Sequence, residues 1–405
     1  MAESPHINIS RTVNLPDEVR VERALRAPDL GPRILFFSGG TALRRLSREL
    51  VRYTHNSIHI ITPFDSGGSS AELRKAFGML AVGDLRNRLM ALADRTVLGN
   101  PEIFRLSAYR FDTNADTGAL RSKLDALCDG TDPLMARVPS PVREITCRYL
   151  GFFRERMPED FDLRGASVGN LMLAGGYFNH DRHIDPVLYL FSQLIEARGT
   201  VRPVINGDLH QAAELADGTV LHGQHMITGK EVDAIEQPVK KLWLTADLED
   251  DTPVETRISD KMAELIESAD LICYPMGSFY TSVMANLLPK GVGSAVAAAN
   301  CPKIHIPSLG NDPEALGLGL FESTQRLIQA LEASAGEGVH PSRLIDFVLI
   351  DSKNGSYREP LELDKYQRFG VQVIDSTLVT PSSLSLIHIS EPTRRACRSR
   401  MPSSA

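Results

Sequence analysis

The sequence predicts an α/β fold with a mainly parallel, doubly wound sheet. Three observations carry this. An apolar run at 33–38 leads into Ser38-Gly39-Gly40-Thr41-Ala42, and a second at 57–62 leads into Phe64-Asp65-Ser66-Gly67-Gly68-Ser69-Ser70. The same device returns at 270–274, followed by Met276-Gly277-Ser278-Phe279-Tyr280-Thr281-Ser282. The first run shows no polar alternation, as expected of a strand covered on both faces. Strands of this kind gather ligands at their carboxyl ends. Glycine turns there expose backbone N–H groups at helix starts, where an anionic group is stabilised.

A chain of 405 residues accommodates one large α/β domain with insertions, or two domains. Its net charge of −7 gives no electrostatic support to nucleic-acid binding, and no basic stripe with interleaved aromatics is present. The five cysteines, Cys128, Cys147, Cys273, Cys301 and Cys397, include no CxxC pair. Their spacing argues against a disulfide framework or a zinc site and predicts a reducing compartment. No signal-peptide core and no uninterrupted apolar stretch of membrane length occurs, so the expectation is a cytoplasmic protein that does not engage membranes.

In chain order, residues 1–30 have no clean period and are read as a surface extension. From Thr41 the apolar spacing turns helical, with Leu43, Leu46, Leu50 and Val51 on one stripe. The segment 83–94 predicts a helix with Asp84 as its cap. Residues 97–160 show helical periodicity without a strand and predict a helical insertion; 165–174 is another Gly/Ser-rich helix entry. Short runs at 201–205, 211–215, 218–221 and 240–244, split by Gly and Asp, predict hairpins or an antiparallel edge across 201–245. Helices at 261–268 and 292–299 and strands at 303–306, 343–350 and 371–374 complete the pattern. The end, 383–405, has no period and resembles translated adapter read-through. Its arginines Arg394, Arg395, Arg398 and Arg400 are excluded from functional argument.

The glycine turns lack the G-x-G-x-x-G spacing and no Walker lysine follows, so neither NAD nor FAD is expected and P-loop hydrolysis is disfavoured. An oxidoreductase reading has fold analogy alone behind it. Asp65 and Asp84 are the carboxylates that could hold a divalent cation beside a diphosphate; the plainer alternatives are a turn cap and a helix cap. Arg74 and Arg86 could pair with phosphate oxygens, or lie on a solvated helix face. His180 and His183 share a spacing suited to a metal but lack a second ligand pair, so a surface loop or interface is the simpler reading. Cys273 reads as a small buried hydrophobe.

Taken in order, Ser38-Gly39-Gly40-Thr41, Asp65-Ser66-Gly67-Gly68-Ser69-Ser70, Gly83-Asp84-Leu85-Arg86-Asn87, Gly165-x-Ser167-x-Gly169-Asn170, Glu214-Leu215-Ala216-Asp217-Gly218-Thr219-Val220 and Gly277-Ser278-Phe279-Tyr280-Thr281-Ser282 resemble the 2-phospho-L-lactate transferase (CofD-like) superfamily. The likeness runs over about 33–310 and is greatest to the branch of gluconeogenesis and cell-shape factors. It implies a Rossmann-like three-layer α/β/α fold over 31–382, and a nucleoside-diphosphate or nucleotide-sugar ligand. Gly39, Gly40, Thr41, Gly277 and Ser278 would face the diphosphate, Asn170 the nucleotide, and Asp65 would be the catalytic acid nearest any Mg2+. Gly67, Gly68, Ser69, Asp84, Arg86, Asn87 and Ser167 complete the expected ligand-binding set, and a homodimer is compatible with the resemblance.

Three departures stand out. Relatives commonly carry Gly-Gly-Gly-Thr-Gly where this chain has Ser38-Gly39-Gly40-Thr41-Ala42. They carry paired aspartates where it has Asp65-Ser66, and proline where it has Met276. The missing carboxylate weakens metal-dependent transfer more than diphosphate binding. Two functions therefore follow from the resemblance: transfer of a phosphorylated group from a nucleoside-diphosphate-activated donor, or non-catalytic UDP-sugar sensing by a metabolic regulator.

Overall fold

The computed structural model describes residues 15–96, 99–229, 232–310, 312–336, 338–357 and 362–378. The 383–405 segment and Cys397 therefore lie outside the described residues. Helix α1 (Glu18–Arg26) is capped by Asp17, which accepts from the Arg20 N–H at 3.1 Å, and it buries none of its side chains.

Strand β1 (Ile34–Ser38) is the centre of the molecule. Its side chains alternate between two apolar clusters: Leu35 and Phe37 enter one, Phe36 the other. Phe36 stacks on His59 with ring centroids 5.2 Å apart, and Phe37 stacks on Tyr274 at 5.7 Å. Burying each phenylalanine stabilises the fold by about 1.5–3 kcal/mol. The partners lie on β2 (Ile58–Ile61) and β7 (Leu271–Tyr274), which flank β1 in parallel, with Leu35 opposite Ile58 and Ile34 opposite Leu271.

Strand β3 (Thr200–Pro203) extends the sheet beyond β2. On the other side follow β8 (Lys303–His305), β9 (Phe347–Ile350) and β10 (Gln372–Asp375), giving the order β10-β9-β8-β7-β1-β2-β3 with every pairing parallel. The chain thus builds outward from β1 in one direction and from β7 in the other. The β1/β7 seam is the point where strand order reverses, and crevices open there above the strand ends.

One face of the sheet is covered by a helical block. It starts with α2 (Arg44–Leu50), α3 (Gly68–Phe77) and α4 (Gly83–Leu92). It continues through α5 (Pro101–Ala108), α6 (Thr117–Cys128), α7 (Pro133–Ala136) and α8 (Val142–Arg156), the expected insertion. Helix α9 (Val168–Asn179), buried along nearly its whole length, is the hub of this layer, and α10 (Ile184–Leu194) returns the chain to β3. A separate antiparallel sheet, ordered β5-β4-β6, holds β4 (His210–Leu215), β5 (Val220–His222) and β6 (Val239–Thr245), with the one-turn α11 (Gln224–Thr228) between β5 and β6. Helices α12 (Asp260–Glu267), α13 (Val292–Ala298) and α14 (Leu320–Ala335) cover the opposite face, and α15 (Leu363–Arg368) precedes β10.

Three local expectations are corrected. Leu46 points outward at 39% exposure, and Ser47 is buried in its place because it accepts a hydrogen bond from Arg88. The run 201–205 is not part of the antiparallel segment: Val201 pairs with His59, because the edge of the large sheet offers this short strand a complete parallel ladder. Val82, not Asp84, caps α4, which frees the Asp84 carboxylate for tertiary contacts. No helix among the described residues is long and apolar enough to cross a membrane. Among them Cys128, Cys147, Cys273 and Cys301 are free thiols.

Candidate functional site

The turns after β1, β2 and β7 meet above the β1/β7 seam, and Asp84 at the start of α4 lies in their midst. Gly40 sits directly on Asp84: a Cβ there would overlap the carboxylate and stand 2.7 Å from the Asp84 Cα. A Cβ on Gly39 would lie 2.5 Å from Ser282 Oγ, which belongs to the turn after β7. Only glycine allows this approach, so the first turn is bound to both neighbours through missing side chains. Gly277 completes the seam, with its Cβ position 3.0 Å from the Ala42 side chain. Thr41 is exposed at the mouth, and the N–H groups of Gly40 and Thr41 have no protein acceptor among the described residues.

The turn after β2 approaches from the other side. Asp65 accepts from the Gly67 N–H at 3.1 Å, so it does act as the turn cap its sequence position allows. Gly68 opens α3 at φ +51° with nothing near its Cβ position, and Ser69 accepts from Asn170 Nδ2 at 2.8 Å. Gly83 is the meeting place. A Cβ there would collide with Ser70 Oγ and lie 3.7 Å from Asp65 Oδ2 and 3.8 Å from Asn170 Nδ2. Asn170 is 2% exposed and its buried Oδ1 has no hydrogen-bond partner among the described residues. The structure thus brings together Gly39, Gly40, Thr41, Asp65, Gly67, Gly68, Ser69, Asp84, Asn170 and Gly277.

Other expected contacts fall elsewhere. Arg86 is neither solvated nor aimed at a ligand. It is buried beneath the crevice, donating to Ser167 Oγ, to the Ser107 carbonyl at 3.3 Å and to Asn87 Oδ1 at 2.7 Å. Gly169 makes room for it, with its Cβ position 2.7 Å from Arg86 Cδ. Arg86, Asn87 and Ser167 are therefore a supporting cluster that fixes α4 against α9. Arg74 is likewise committed, to Asp208 at 2.7 Å, the Leu209 carbonyl at 2.7 Å and the Asp65 carbonyl at 3.3 Å. It anchors the second turn and does not present a phosphate fork.

The turn after β7 differs most from expectation. A π-helical turn, Phe279–Val283, follows Gly277 and Ser278. Three of the donors here are taken by the protein: Phe279 N–H by Asp312 at 2.8 Å, Thr281 N–H by Glu314 at 2.8 Å, and Gly277 N–H by Ser308 Oγ at 3.3 Å. Asp312, the cap of the short helix Pro313–Ala315, and Glu314 within it thus occupy the N–H groups of Phe279 and Thr281, just beyond the Gly277 and Ser278 that the resemblance placed at the diphosphate.

Arg88 was not singled out by its sequence. It is fully buried under the first turn, donating to Ser47 Oγ, to Ser38 Oγ at 3.3 Å and to the Gly39 carbonyl at 2.7 Å. Burial lowers its pKa to about 10, against the opposing effect of Asp84, and burial takes Arg86 to about 10 as well. Burial and the neighbouring Arg88 charge hold His59 well below the usual imidazole range, so it is neutral. The signal that could have found Arg88 is its place four residues after Asp84, one helical turn along the same face. His180 bonds Tyr149 Oη at 3.0 Å, and no group of three His, Cys, Asp or Glu suited to a metal exists among the described residues. Buried Cys273 behaves as a hydrophobe, its thiol pushed up by burial.

These features define an α/β protein whose glycine turns converge at the switch point of a parallel sheet. The chain belongs to the family described as 2-phospho-L-lactate transferase CofD, whose model matches residues 34–379. It is similar to the gluconeogenesis factor of Bacillus subtilis, with 26% identity over 366 residues, 86% of this chain and 92% of that protein. The gluconeogenesis factor of Listeria monocytogenes is 26% identical over 280 residues, 69% of this chain and 67% of its own length. Relatives from Nostoc sp. and Clostridium acetobutylicum are longer, and the chain spans 56% and 59% of them. A crystal structure of a UPF0052 family member from Bacillus halodurans shares the fold, with TM-score 0.61 and 24% identity over 87% of this chain and 94% of that one.

Proposed function

We propose that the crevice binds the diphosphate of a nucleoside-diphosphate-linked small molecule. The observation that carries this is the convergence of the Gly39-Gly40-Thr41 turn, with unused N–H groups, and the Asp65–Ser69 turn on Gly83 and Asp84. Arg88 behind the first turn adds buried positive charge, which raises the potential felt by an anion above it. The family's description as a 2-phospho-L-lactate transferase supports a phosphorylated ligand.

A divalent cation fits the donor set. Asp65 and Asp84 flank Gly83, and the open Asn170 Oδ1 is a further hard oxygen. Mg2+ is commonly held by one or two carboxylates together with the ligand's own phosphates. When bound it would neutralise charge developing on the phosphate, while the Gly40 and Thr41 N–H groups would hold non-bridging oxygens. Transfer of a phosphorylated group is the reaction such a site suits. The regulator reading, a nucleotide-sugar sensor without turnover, is favoured by one residue: Ser66 stands where a second carboxylate would strengthen a metal site.

Calorimetry and thermal shift with UDP-sugars and guanosine-diphosphate-linked donors, with and without Mg2+, test the reading. Binding raises the apparent stability of the native state. No interaction with any nucleotide at about millimolar ligand, the weak end of specific binding, overturns it. Product formation with a hydroxyl acceptor separates transferase from sensor.

A further inference from the structure

Ser66 is not an idle replacement. Its Oγ lies 2.8 Å from His225 Nδ1 and also accepts the His225 backbone N–H at 3.2 Å. His225 belongs to α11, which packs against the turn Phe279–Val283 and against Pro313–Ala315 as well as on β4 and β5. The antiparallel sheet therefore delivers one imidazole to the rim between the second and third turns. Gly223, at φ +85°, makes the bend possible; its Cβ position is 2.8 Å from His225 Cε1. His225 is half-buried, and its Nε2 has no protein partner among the described residues and remains open to solvent.

A serine hydroxyl offers one donor and two acceptor lone pairs. With a neutral ring, the Ser66 O–H donates to Nδ1 while one lone pair takes the backbone N–H. With an imidazolium, Nδ1–H donates to the second lone pair. The anchor therefore survives a change in protonation, and Nε2 carries a proton outward in both states.

The geometry points to His225 as an anion-binding residue of the crevice, positioned by Ser66, whose protonated imidazole donates from Nε2 to the ligand's phosphate. This rests on the ligand reading proposed above. Histidine is the side chain whose charge changes near neutral pH, so ligand affinity is high at acid pH and falls as pH rises through the titration of the bound complex. The titratable and charged groups on the elements around α11 are Asp65 on the second turn, Asp312 and Glu314, His210 and Glu214 on β4, and His222 on β5. His210 is pushed down to about 4, by burial first and Arg74 second, and stays neutral over this range. His222 lies 2.8 Å from Asp251 and is the control.

The test measures UDP-glucose and GDP-mannose binding by calorimetry between about pH 5.5 and 8, the range in which histidine changes charge. These probes are chosen because their phosphates are diesters, without the titration near pH 6 of a terminal phosphate. Wild type should bind the preferred probe about tenfold more tightly at the acid end, the size of one charge-assisted hydrogen bond. His225→Gln should bind with the weak affinity at every pH, and His225→Lys should recover affinity at the alkaline end. Ser66→Ala should flatten the profile and Ser66→Thr restore it, while His222→Gln leaves it unchanged. Tight binding with the same profile in wild type and His225→Gln overturns the role of His225 and leaves the ligand reading intact. No binding at any pH overturns both.

Discussion

The turns after β1 and β7 lie side by side at the same seam and read alike in sequence, yet their backbones are satisfied in opposite ways. Behind the first stands a cation, Arg88, bonded to the Gly39 carbonyl, and the Gly40 and Thr41 N–H groups remain available. In front of the third stand two anions, Asp312 and Glu314, bonded to its N–H groups. A strand–glycine–helix turn can offer its N–H groups to a ligand only where no protein group has already taken them. The first turn keeps two N–H groups without a protein acceptor among the described residues; the third has its Phe279 and Thr281 donors taken by the protein's own carboxylates.

The largest effect should come from opening the third turn. Glu314 is 1% exposed and serves both the N–H and the hydroxyl of Thr281. Glu314→Ala leaves two buried donors unmet, and urea denaturation should show a loss of about 3 kcal/mol. A loss under about 0.5 kcal/mol, the scale of an ordinary surface change, would mean that the turn does not depend on its internal anion.

Acid should act on the second turn. His210 lies 3.0 Å from the same Arg74 that holds Asp65, and its pKa is lowered to about 4 by burial and then by that arginine. The folded state binds fewer protons than the unfolded state, which titrates near the ordinary value of about 6.5. Stability from this site is therefore complete above about pH 6.5 and falls as pH drops toward 4. Denaturation curves at stepped pH should show this slope, and His210→Gln should reduce it.

Gly40→Ala tests the close approach of the first turn to Asp84. Its Cβ meets a carboxylate and a backbone carbon, so a destabilisation of about 2 kcal/mol is expected, together with loss of nucleotide binding by calorimetry. The smallest effect belongs to Arg88→Met. It removes a costly buried charge as well as the bond to Gly39, so stability should move by less than about 1 kcal/mol, while nucleotide affinity falls about tenfold. Unchanged affinity would show that the first turn needs no cation behind it.

Most of the sheet was legible because buried parallel strands write continuous apolar runs, as at β1, β2 and β7, and because glycines punctuate their ends. Leu46 and the 201–205 run were misread for one reason. Periodicity reports that a segment is amphipathic or apolar, but which neighbour covers it is decided by the sheet order. Among the site residues, glycines and Asp65 carried local signals. Arg88 carried one only through its spacing from Asp84, and Asp312, Glu314 and His225 carried none, since each acts across 25 or more residues of sequence on a turn it does not belong to.

By itself the sequence determined the class of fold and the strand–glycine–helix turns, because these depend on side-chain periodicity and on backbone freedom at glycine, both local properties; the order of its motifs carried the family resemblance. Only the tertiary structure decided which turn is open and which is closed, that Arg86 and Arg74 are supports, and that Ser66 holds an imidazole. The physical reason is that hydrogen-bond satisfaction and burial belong to pairs of groups, and those pairs exist only once the seven-stranded sheet and its flanking layers have brought distant segments together.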